Sequence, residues 1–294
     1  MTTPTAQARP VGAWRDYLAL GKPRLSALVV FSAVVGYALG QPGWAPLAWL
    51  TLALGGWGVT AGANALNQWL EAPYDARMRR TADRPLPTGR LQPLQAVGFA
   101  LVCTAVGVGL IAVAFNTLAA LLALTSTLLY AFAYTPLKRH SPVAVLVGAV
   151  PGGLPPLIGY VAATGSVNAP AVALFALQFA WQLPHFWAIA WLGYDDYAAA
   201  GYRLMPTPGG RTPVNAAVTF LSALLVIPAG LLPIWGGLAG MGATVALVGL
   251  GVAFALPAAN FWQRPSRTGA LEVMFASFFY LPLAQVVLIL DSFL

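Results

Sequence analysis

The sequence predicts an all-α, polytopic membrane protein, and its composition is the first observation that supports this fold class. Of 294 residues, 59% are hydrophobic and only 8% are charged, and the mean hydropathy is +0.74. Soluble domains carry about 25% charged residues. The composition therefore excludes a soluble enzyme, a disordered protein and a nucleic-acid-binding protein. The single Cys103 lies in an apolar run, which excludes an intrachain disulfide or a Cys-x-x-Cys site.

The second observation is a series of nine apolar stretches that approach or reach the length of a membrane span. A helix needs about 20 mostly apolar residues to cross about 30 Å of hydrocarbon. The stretches lie at about residues 25–40, 46–69, 92–114, 116–134, 142–163, 169–192, 213–235, 237–257 and 270–290. The fifth contains the proline-rich run 151–156, which we expect to be kinked or locally unwound. We predict one domain over residues 15–294, preceded by a polar cytoplasmic tail at residues 1–14.

The distribution of charge is the third observation. All fifteen basic residues precede the first stretch or follow an even-numbered one, and seven of the eight acids share that side. By the positive-inside rule the N-terminus faces the cytoplasm, and an odd number of spans places the C-terminus outside. No charged residue lies near the middle of a stretch, which argues against an ion-coupled transporter or pump. Any chemistry is therefore expected at the cytoplasmic rim.

The first candidate site follows the second stretch. Asn67, Glu71 and Asp75 are spaced four residues apart, so a continuous helix places an amide and two carboxylates on one face. Pro73 is expected to bend or end the helix just before Asp75. Such oxygen ligands suit Mg²⁺, which takes one or two carboxylates and completes its shell with water and substrate phosphate. Guanidinium groups suited to a diphosphate follow directly: Arg77, Arg80 and Arg84. The alternative is that the segment is only the charged flank of a span.

The second candidate site ends the sixth stretch, on the same rim. Asp195 and Asp196 form an acidic pair that could hold a second Mg²⁺ beside a diphosphate. His185 lies within the stretch, near Trp181 and other aromatic residues. Neutral imidazole is a common ligand of haem iron. An intramembrane histidine can equally serve as a hydrogen-bond partner between helices, and both interpretations stay open.

Longer strings around these sites resemble a known family, the UbiA-type intramembrane prenyltransferases, in its haem O synthase branch. The similarity covers roughly residues 15–290. The strings that carry it are Lys22-Pro23-Arg24, Asn67-Gln68-x-x-Glu71-x-x-x-Asp75, Arg80-Thr81-x-x-Arg84-Pro85-Leu86-Pro87, Tyr134-Thr135-Pro136-Leu137-Lys138-Arg139, Trp181-Gln182-x-Pro184-His185-Phe186 and Asp196-Tyr197. The chain departs from the family at Ser141 and Ala144, where Thr and Asn are expected.

The resemblance implies nine helices around a central cavity, with Mg²⁺ as cofactor. It implies transfer of a farnesyl group from farnesyl diphosphate to the vinyl group of haem B, with addition of water, giving haem O and diphosphate. The implied metal ligands are Asn67, Glu71, Asp75, Asp195 and Asp196, and all of these except Asp195 are implied catalytic residues. The implied substrate-binding residues are Arg77, Arg80, Arg84, Lys138, Arg139, Trp181, Gln182, His185, Tyr197 and Arg203.

The resemblance also implies a location in the bacterial plasma (inner) membrane. The expected partners are haem B, farnesyl diphosphate, the lipid bilayer and the downstream enzyme that forms haem A, with no nucleic acid. Two alternative functions stay open at this stage. One is a related prenyltransferase that acts on an aromatic or quinone precursor, and the other is a non-catalytic membrane transporter or haem carrier.

Overall fold

A computed structural model of the chain describes residues 14–293, and within that range it contains helices but no strands. The all-α prediction is therefore confirmed. Eight of the described helical segments are long and apolar enough to cross a membrane, so the chain is a multi-pass membrane protein. Apart from Trp14, the predicted tail at residues 1–14 lies outside the described residues.

The helices follow the predicted stretches closely. In order they are α1 (Trp14–Gly21), α2 (Pro23–Gly40), α3 (Pro46–Asp75), α4 (Pro93–Ala114), α5 (Thr117–Leu128), a π-helical segment (Leu129–Tyr134), α6 (Thr135–Leu137), α7 (Ala144–Thr164), α8 (Ala169–Leu192), α9 (Tyr194–Ala199), α10 (Pro213–Leu224), α11 (Val226–Ala229), α12 (Leu232–Trp235), α13 (Met241–Gln263) and α14 (Arg267–Asp291).

The predicted count of nine spans is approximate. The predicted second span is α3, which has 30 residues but is not among the eight candidates. Glycine, tryptophan and polar residues dilute its aliphatic side chains and lower its mean hydropathy. The seventh span is divided into the three helices α10, α11 and α12, and prolines lie within its last two pieces, at Pro228 and Pro233.

Helix α7 is the most buried of the eight candidate spans, and it stays α-helical through residues 151–156. The local unwinding expected there is therefore not observed. Its last two prolines cannot donate to the carbonyls four residues earlier, but neighbouring helices supply the missing donors. Ser126 Oγ in α5 donates to the Pro151 carbonyl at 3.2 Å, and Gln178 Nε2 in α8 donates to the Gly152 carbonyl at 2.8 Å. Satisfied carbonyls allow the proline-rich helix to persist inside the bundle.

Close helix packing around α7 depends on glycine. A β-carbon at Gly159 would lie 1.8 Å from the Ala33 carbonyl oxygen in α2, and one at Gly36 would lie 2.0 Å from the Pro156 carbonyl oxygen. Only glycine permits this approach of the two backbones, as is common between membrane helices. The contact fixes the second half of α2 against α7 in the middle of the bundle.

Two amide side chains on one face of α3, of Asn64 and Gln68, hold helix α1 in place. Gln68 Nε2 donates to the carbonyls of Leu20 at 2.9 Å and Ala19 at 3.3 Å, and Asn64 Nδ2 donates to the Gly21 carbonyl at 3.4 Å. These carbonyls end α1 and have no partner within that helix. The amides of α3 therefore satisfy the end of α1 at the point where the chain enters α2.

Helix α3 also continues through Pro73 and ends at Asp75, which is fully buried. Of the two expected effects of Pro73, an end of the helix before Asp75 is therefore wrong, while a bend stays a prediction. Folded turns that follow the helix hold this residue, because Thr81 Oγ1 donates to the Asp75 carbonyl at 2.9 Å and Arg84 binds its carboxylate. As a result, Asn67, Glu71 and Asp75 belong to one continuous helix.

Candidate active site

A cavity of about 120 Å³ lies where α3 ends and α2 begins. Two carboxylates, of Glu71 and Asp75, line it together with four basic side chains. The basic residues are Lys22, Arg80, Arg84 and Lys138. The cavity wall therefore carries two more basic side chains than acidic ones. Such a wall favours an anionic ligand.

Both carboxylates in the cavity wall are held by ion pairs. Lys138 Nζ lies 2.8 Å from Glu71 Oε1, and both residues are buried. Arg84 Nη1 lies 2.6 Å from Asp75 Oδ2. The other oxygen of Asp75, Oδ1, is buried and has no hydrogen-bond partner within residues 14–293. An unpaired buried carboxylate oxygen is costly unless a donor or a cation binds it.

Lys22 contributes to the cavity through an unusual backbone conformation. It lies between α1 and α2 in the left-handed region, with φ +46°, which costs about 1–3 kcal/mol for a residue other than glycine. Its Nζ donates to Asn67 Oδ1 at 3.2 Å. Burial, followed by the positive charge of Arg84, lowers the pKa of Lys22 to about 7. No role was predicted for Lys22 from the sequence, although the Lys22-Pro23-Arg24 string was the available signal.

The π-helical segment supplies two tyrosines to the cavity wall, Tyr130 and Tyr134. Thr135 Oγ1 donates to the Tyr130 carbonyl at 2.8 Å and accepts from Asn67 Nδ2 at 3.0 Å. π-Helical turns are frequent at functional sites. The segment leads through α6 to Lys138, whose Nζ lies 4.3 Å from the centre of the Tyr134 ring. Burial alone would lower the pKa of Lys138, but the carboxylate of Glu71 outweighs it and raises that pKa well above its usual value.

Two further tyrosines, Tyr197 and Tyr202, complete the wall from α9 and the loop after it. Arg80 lies over the Tyr197 ring and donates to its hydroxyl at 3.3 Å. Burial and then the nearby carboxylate of Glu71 raise the pKa of Tyr202 above its usual value, so its hydroxyl remains protonated. Tyr197 was predicted from the sequence, whereas Tyr202 and Tyr130 were not, because no spacing rule links the loop after α9 or the π-helical segment to α3.

The predicted basic residues do not all reach the cavity. Arg139 lines a smaller neighbouring cavity of about 40 Å³, where it hydrogen-bonds to the Tyr74 hydroxyl and lies over that ring. Arg77 contacts the Tyr74 ring and lines neither cavity. Arg203 is exposed, and its backbone N–H donates to the Lys138 carbonyl at 2.8 Å. Arg77 and Arg203 therefore lie outside both cavity walls.

The acids predicted to hold a second metal ion do not line the cavity. Asp195 is exposed and pairs with Arg211 at 3.0 Å, and Asp196 contributes to neither cavity wall. A second metal site there stays a prediction. Residues 14–293 contain no group of three or more His, Cys, Asp or Glu side chains that could hold a metal ion. The available donors are two carboxylates and one amide, of Glu71, Asp75 and Asn67, which suits Mg²⁺ because it needs only one or two carboxylates.

The predicted aromatic segment of α8 lies within the bundle, away from both cavity walls. His185 is buried, and its Nδ1 lies 2.7 Å from Ser277 Oγ in α14. Trp181 stacks on the His185 ring at 5.2 Å and donates from Nε1 to the Ser277 carbonyl at 2.7 Å. Gln182 Nε2 donates to the Ala149 carbonyl of α7 at 3.3 Å. These contacts show a helix-joining role, while binding of iron by His185 stays a prediction.

Comparisons with known proteins agree with this architecture. The model of the UbiA prenyltransferase family matches residues 29–281. The chain is 40% identical over 282 residues to the protoheme IX farnesyltransferase of Cytophaga hutchinsonii, covering 95% of this chain and 98% of that protein.

Solved structures of low sequence identity share the fold. A structure of a digeranylgeranylglyceryl phosphate synthase is similar with a TM-score of 0.77 and 18% identity, covering 95% of this chain and 98% of that one. A UbiA homologue from Archaeoglobus fulgidus, bound to GPP and Mg²⁺, is similar with a TM-score of 0.66 and 15% identity, covering 93% of this chain and 99% of that one.

Proposed function

Because the chain belongs to the UbiA prenyltransferase family, we propose that it transfers a farnesyl group from farnesyl diphosphate to the vinyl group of haem B. Water adds in the same reaction, and the products are haem O and diphosphate. The acceptor is inferred from the relative at 40% identity, which is named protoheme IX farnesyltransferase. The observation that carries the donor half is the cavity, where four basic side chains outnumber two carboxylates.

The proposed chemistry begins with departure of the diphosphate. The bond between C1 of the farnesyl chain and a diphosphate oxygen breaks, and the electron pair stays on the oxygen. Fixed cations stabilise this developing charge because they need no reorganisation during the step. Lys22, Arg84 and Lys138 are buried or half-buried around the cavity and are oriented by their present partners. They are the residues that we propose bind the leaving group.

The apolar bundle protects the allylic cation from bulk water. The π electrons of the vinyl group then form the new carbon–carbon bond, and water adds to the resulting cation with loss of a proton. Arg139 lies outside the larger cavity but lines the adjoining one together with Glu71.

The donor set supports a proposal of Mg²⁺ dependence. Asn67, Glu71 and Asp75 would hold the ion, and the unpaired Oδ1 of Asp75 is the atom best suited to it. The ion would supply further neutralisation of the diphosphate charge. Asp196, with Asp195, stays the proposed second site.

For haem, we propose that His185 binds the iron through Nε2. Its Nδ1 is already bonded to Ser277, and a partner on one ring nitrogen fixes the orientation and tautomer of an imidazole that binds metal through the other. The Ser277→Ala variant should therefore weaken haem binding less than His185→Ala does. Haem is added to each purified variant, and binding is followed by the position of its visible absorption maximum.

We further propose a location in the bacterial plasma membrane, with the N-terminus cytoplasmic, the C-terminus outside and a single domain over residues 15–294. The enzyme that forms haem A would receive the product. Reporter fusions at the C-terminus test the orientation: an alkaline phosphatase fusion should be active and a green fluorescent protein fusion dark.

The activity is tested with purified protein, haem B, farnesyl diphosphate and Mg²⁺. Mass spectrometry should detect haem that carries a hydroxyethylfarnesyl group, and a chelator should abolish its formation. The Asp75→Asn variant should form no product. Asp16→Asn is the matched control, because Asp16 is also a buried acid paired with an arginine, Arg90, but lines neither cavity.

The outcomes separate the candidate functions. Prenylation of a hydroxybenzoate or naphthoate instead of haem would support the proposed donor site but contradict haem B as the acceptor. Absence of turnover with every acceptor, in protein that still binds farnesyl diphosphate, would contradict an enzymatic function and favour a carrier.

A further inference from the structure

Tyr202 occupies a fixed position that the sequence did not assign to the site. It follows α9, and its backbone N–H donates to the Tyr197 carbonyl at 2.8 Å. The residue is 7% exposed, and its ring lies 5.9 Å from the Tyr74 ring and 6.2 Å from the Tyr197 ring, measured between centroids. The loop and two aromatic neighbours therefore hold the ring, so its hydroxyl has little freedom to find a new partner elsewhere.

The hydroxyl of Tyr202 is buried, and it makes no hydrogen bond within residues 14–293. The hydroxyls of its two aromatic neighbours, by contrast, accept hydrogen bonds from Arg80 and Arg139. A buried donor without an acceptor destabilises a protein, and such groups in native structures call for a functional explanation.

The surroundings of Tyr202 indicate which acceptor fits. Tyr202 and Glu71 line both the larger and the smaller cavity, so they form the partition between them. The Glu71 carboxylate lies near the Tyr202 hydroxyl, but its Oε1 already accepts a hydrogen bond from Lys138 Nζ at 2.8 Å. The larger cavity has an excess of positive charge and so favours an anion with several acceptor oxygens. A neutral hydroxyl adds a directed hydrogen bond there without adding further charge.

We propose that the Tyr202 hydroxyl donates a hydrogen bond to the diphosphate of the prenyl donor and stabilises it as a leaving group. The proposal rests on the proposed function, in which a prenyl diphosphate occupies the larger cavity. When the bond between C1 and the diphosphate oxygen breaks, the electron pair passes to oxygen and Tyr202 keeps its proton. A hydrogen bond to an oxygen that gains charge strengthens in the transition state.

The test compares Tyr202→Phe with Tyr280→Phe in the full-length protein in detergent. Tyr280 is the matched control because its hydroxyl is also buried without a partner in the described chain, but it lies in α14 and lines neither cavity. The probe is inorganic pyrophosphate with Mg²⁺, and its affinity is measured by calorimetry beside the thermal unfolding midpoint of each variant. The turnover of farnesyl diphosphate gives kcat and KM separately.

We expect Tyr202→Phe to be at least as stable as the parent without the probe, since it loses an unsatisfied hydroxyl. Its pyrophosphate affinity should fall up to roughly tenfold, as for loss of one hydrogen bond, and its kcat should fall more than its KM rises. Tyr280→Phe should retain both affinity and kcat.

Equal pyrophosphate affinity in the parent and Tyr202→Phe would overturn the role of Tyr202 and leave the proposed function standing. A lower unfolding midpoint of Tyr202→Phe without the probe would assign the hydroxyl a structural role and also overturn the proposal. If the parent itself binds no pyrophosphate, the donor half of the proposed function fails together with it.

Discussion

The buried pair of Glu71 and Lys138 allows a quantitative test of the electrostatics of the cavity. At 2.8 Å and an effective dielectric constant of 20, the attraction between the two charges is about 6 kcal/mol. Burial of both groups offsets much of this, but removal of one partner from a buried pair typically costs about 3–5 kcal/mol. We therefore expect Glu71→Gln to destabilise the protein by about 3–5 kcal/mol.

The two partners should not be equivalent. Without Glu71, the cavity retains four basic side chains and only Asp75, whereas without Lys138 the Glu71 carboxylate still lies near Lys22 and Arg84. Replacement of Glu71 should therefore lower the free energy of unfolding more than replacement of Lys138. The double variant Glu71→Gln/Lys138→Gln should recover part of the stability that Glu71→Gln loses.

The assay is unfolding of the purified protein in mixed detergent micelles, followed by tryptophan fluorescence. The exposed pair of Asp195 and Arg211 provides the matched control, and its removal should change the free energy of unfolding by about 0–1 kcal/mol. Two results would contradict this reasoning: an equal loss of unfolding free energy in Lys138→Gln and Glu71→Gln, or a loss in both no larger than that of the exposed pair. Either would show that the excess of basic side chains does not determine the stability of the cavity.

Three further predictions test other parts of the structure. The pKa of Lys22 is about 7 in the folded protein and 10.5 ordinarily, so between these pH values the unfolded chain binds more protons than the folded one. The free energy of unfolding should therefore rise with pH across that window. Lys22→Met should remove this rise when unfolding is measured from low to high pH. Gln178→Leu removes the donor to the Gly152 carbonyl and should lower the free energy of unfolding in detergent by about 1–3 kcal/mol, whereas no change would contradict its role in stabilising α7. Gly159→Ala should sharply reduce the yield of folded protein because its β-carbon would meet a carbonyl of α2, while Gly109→Ala, with open space around it, should behave like the parent.

The comparison with the sequence prediction is most informative along α3. The spacing of Asn67, Glu71 and Asp75 correctly predicted one face of a helix, because side-chain direction repeats with the helical period. The end of the helix that was allowed at Pro73 did not occur, because a single proline rule does not include the later residues that hold Asp75 in place. The partners of the intramembrane amides, such as Gln68, could not be read from the sequence, since they are backbone carbonyls of another helix.

The acidic and aromatic residues of the α8 region show the same limit. Residue type predicted that Asp195 and His185 could bind metal, but type does not determine what else lies within reach. The structure pairs Asp195 with Arg211 and His185 with Ser277. Their proposed roles toward metal and haem therefore depend on the binding experiments.

The sequence by itself determined the membrane class and the approximate spans, because hydropathy and length depend only on local composition. It also indicated the family, through strings of neighbouring residues. Only the tertiary structure decided which residues meet in the cavity, since Lys22, Glu71, Lys138 and Tyr202 come from four separate segments. Their convergence depends on close packing of α2 on α7 and on the π-helical turn before Lys138. Such contacts join residues far apart in the chain, and no local pattern encodes them.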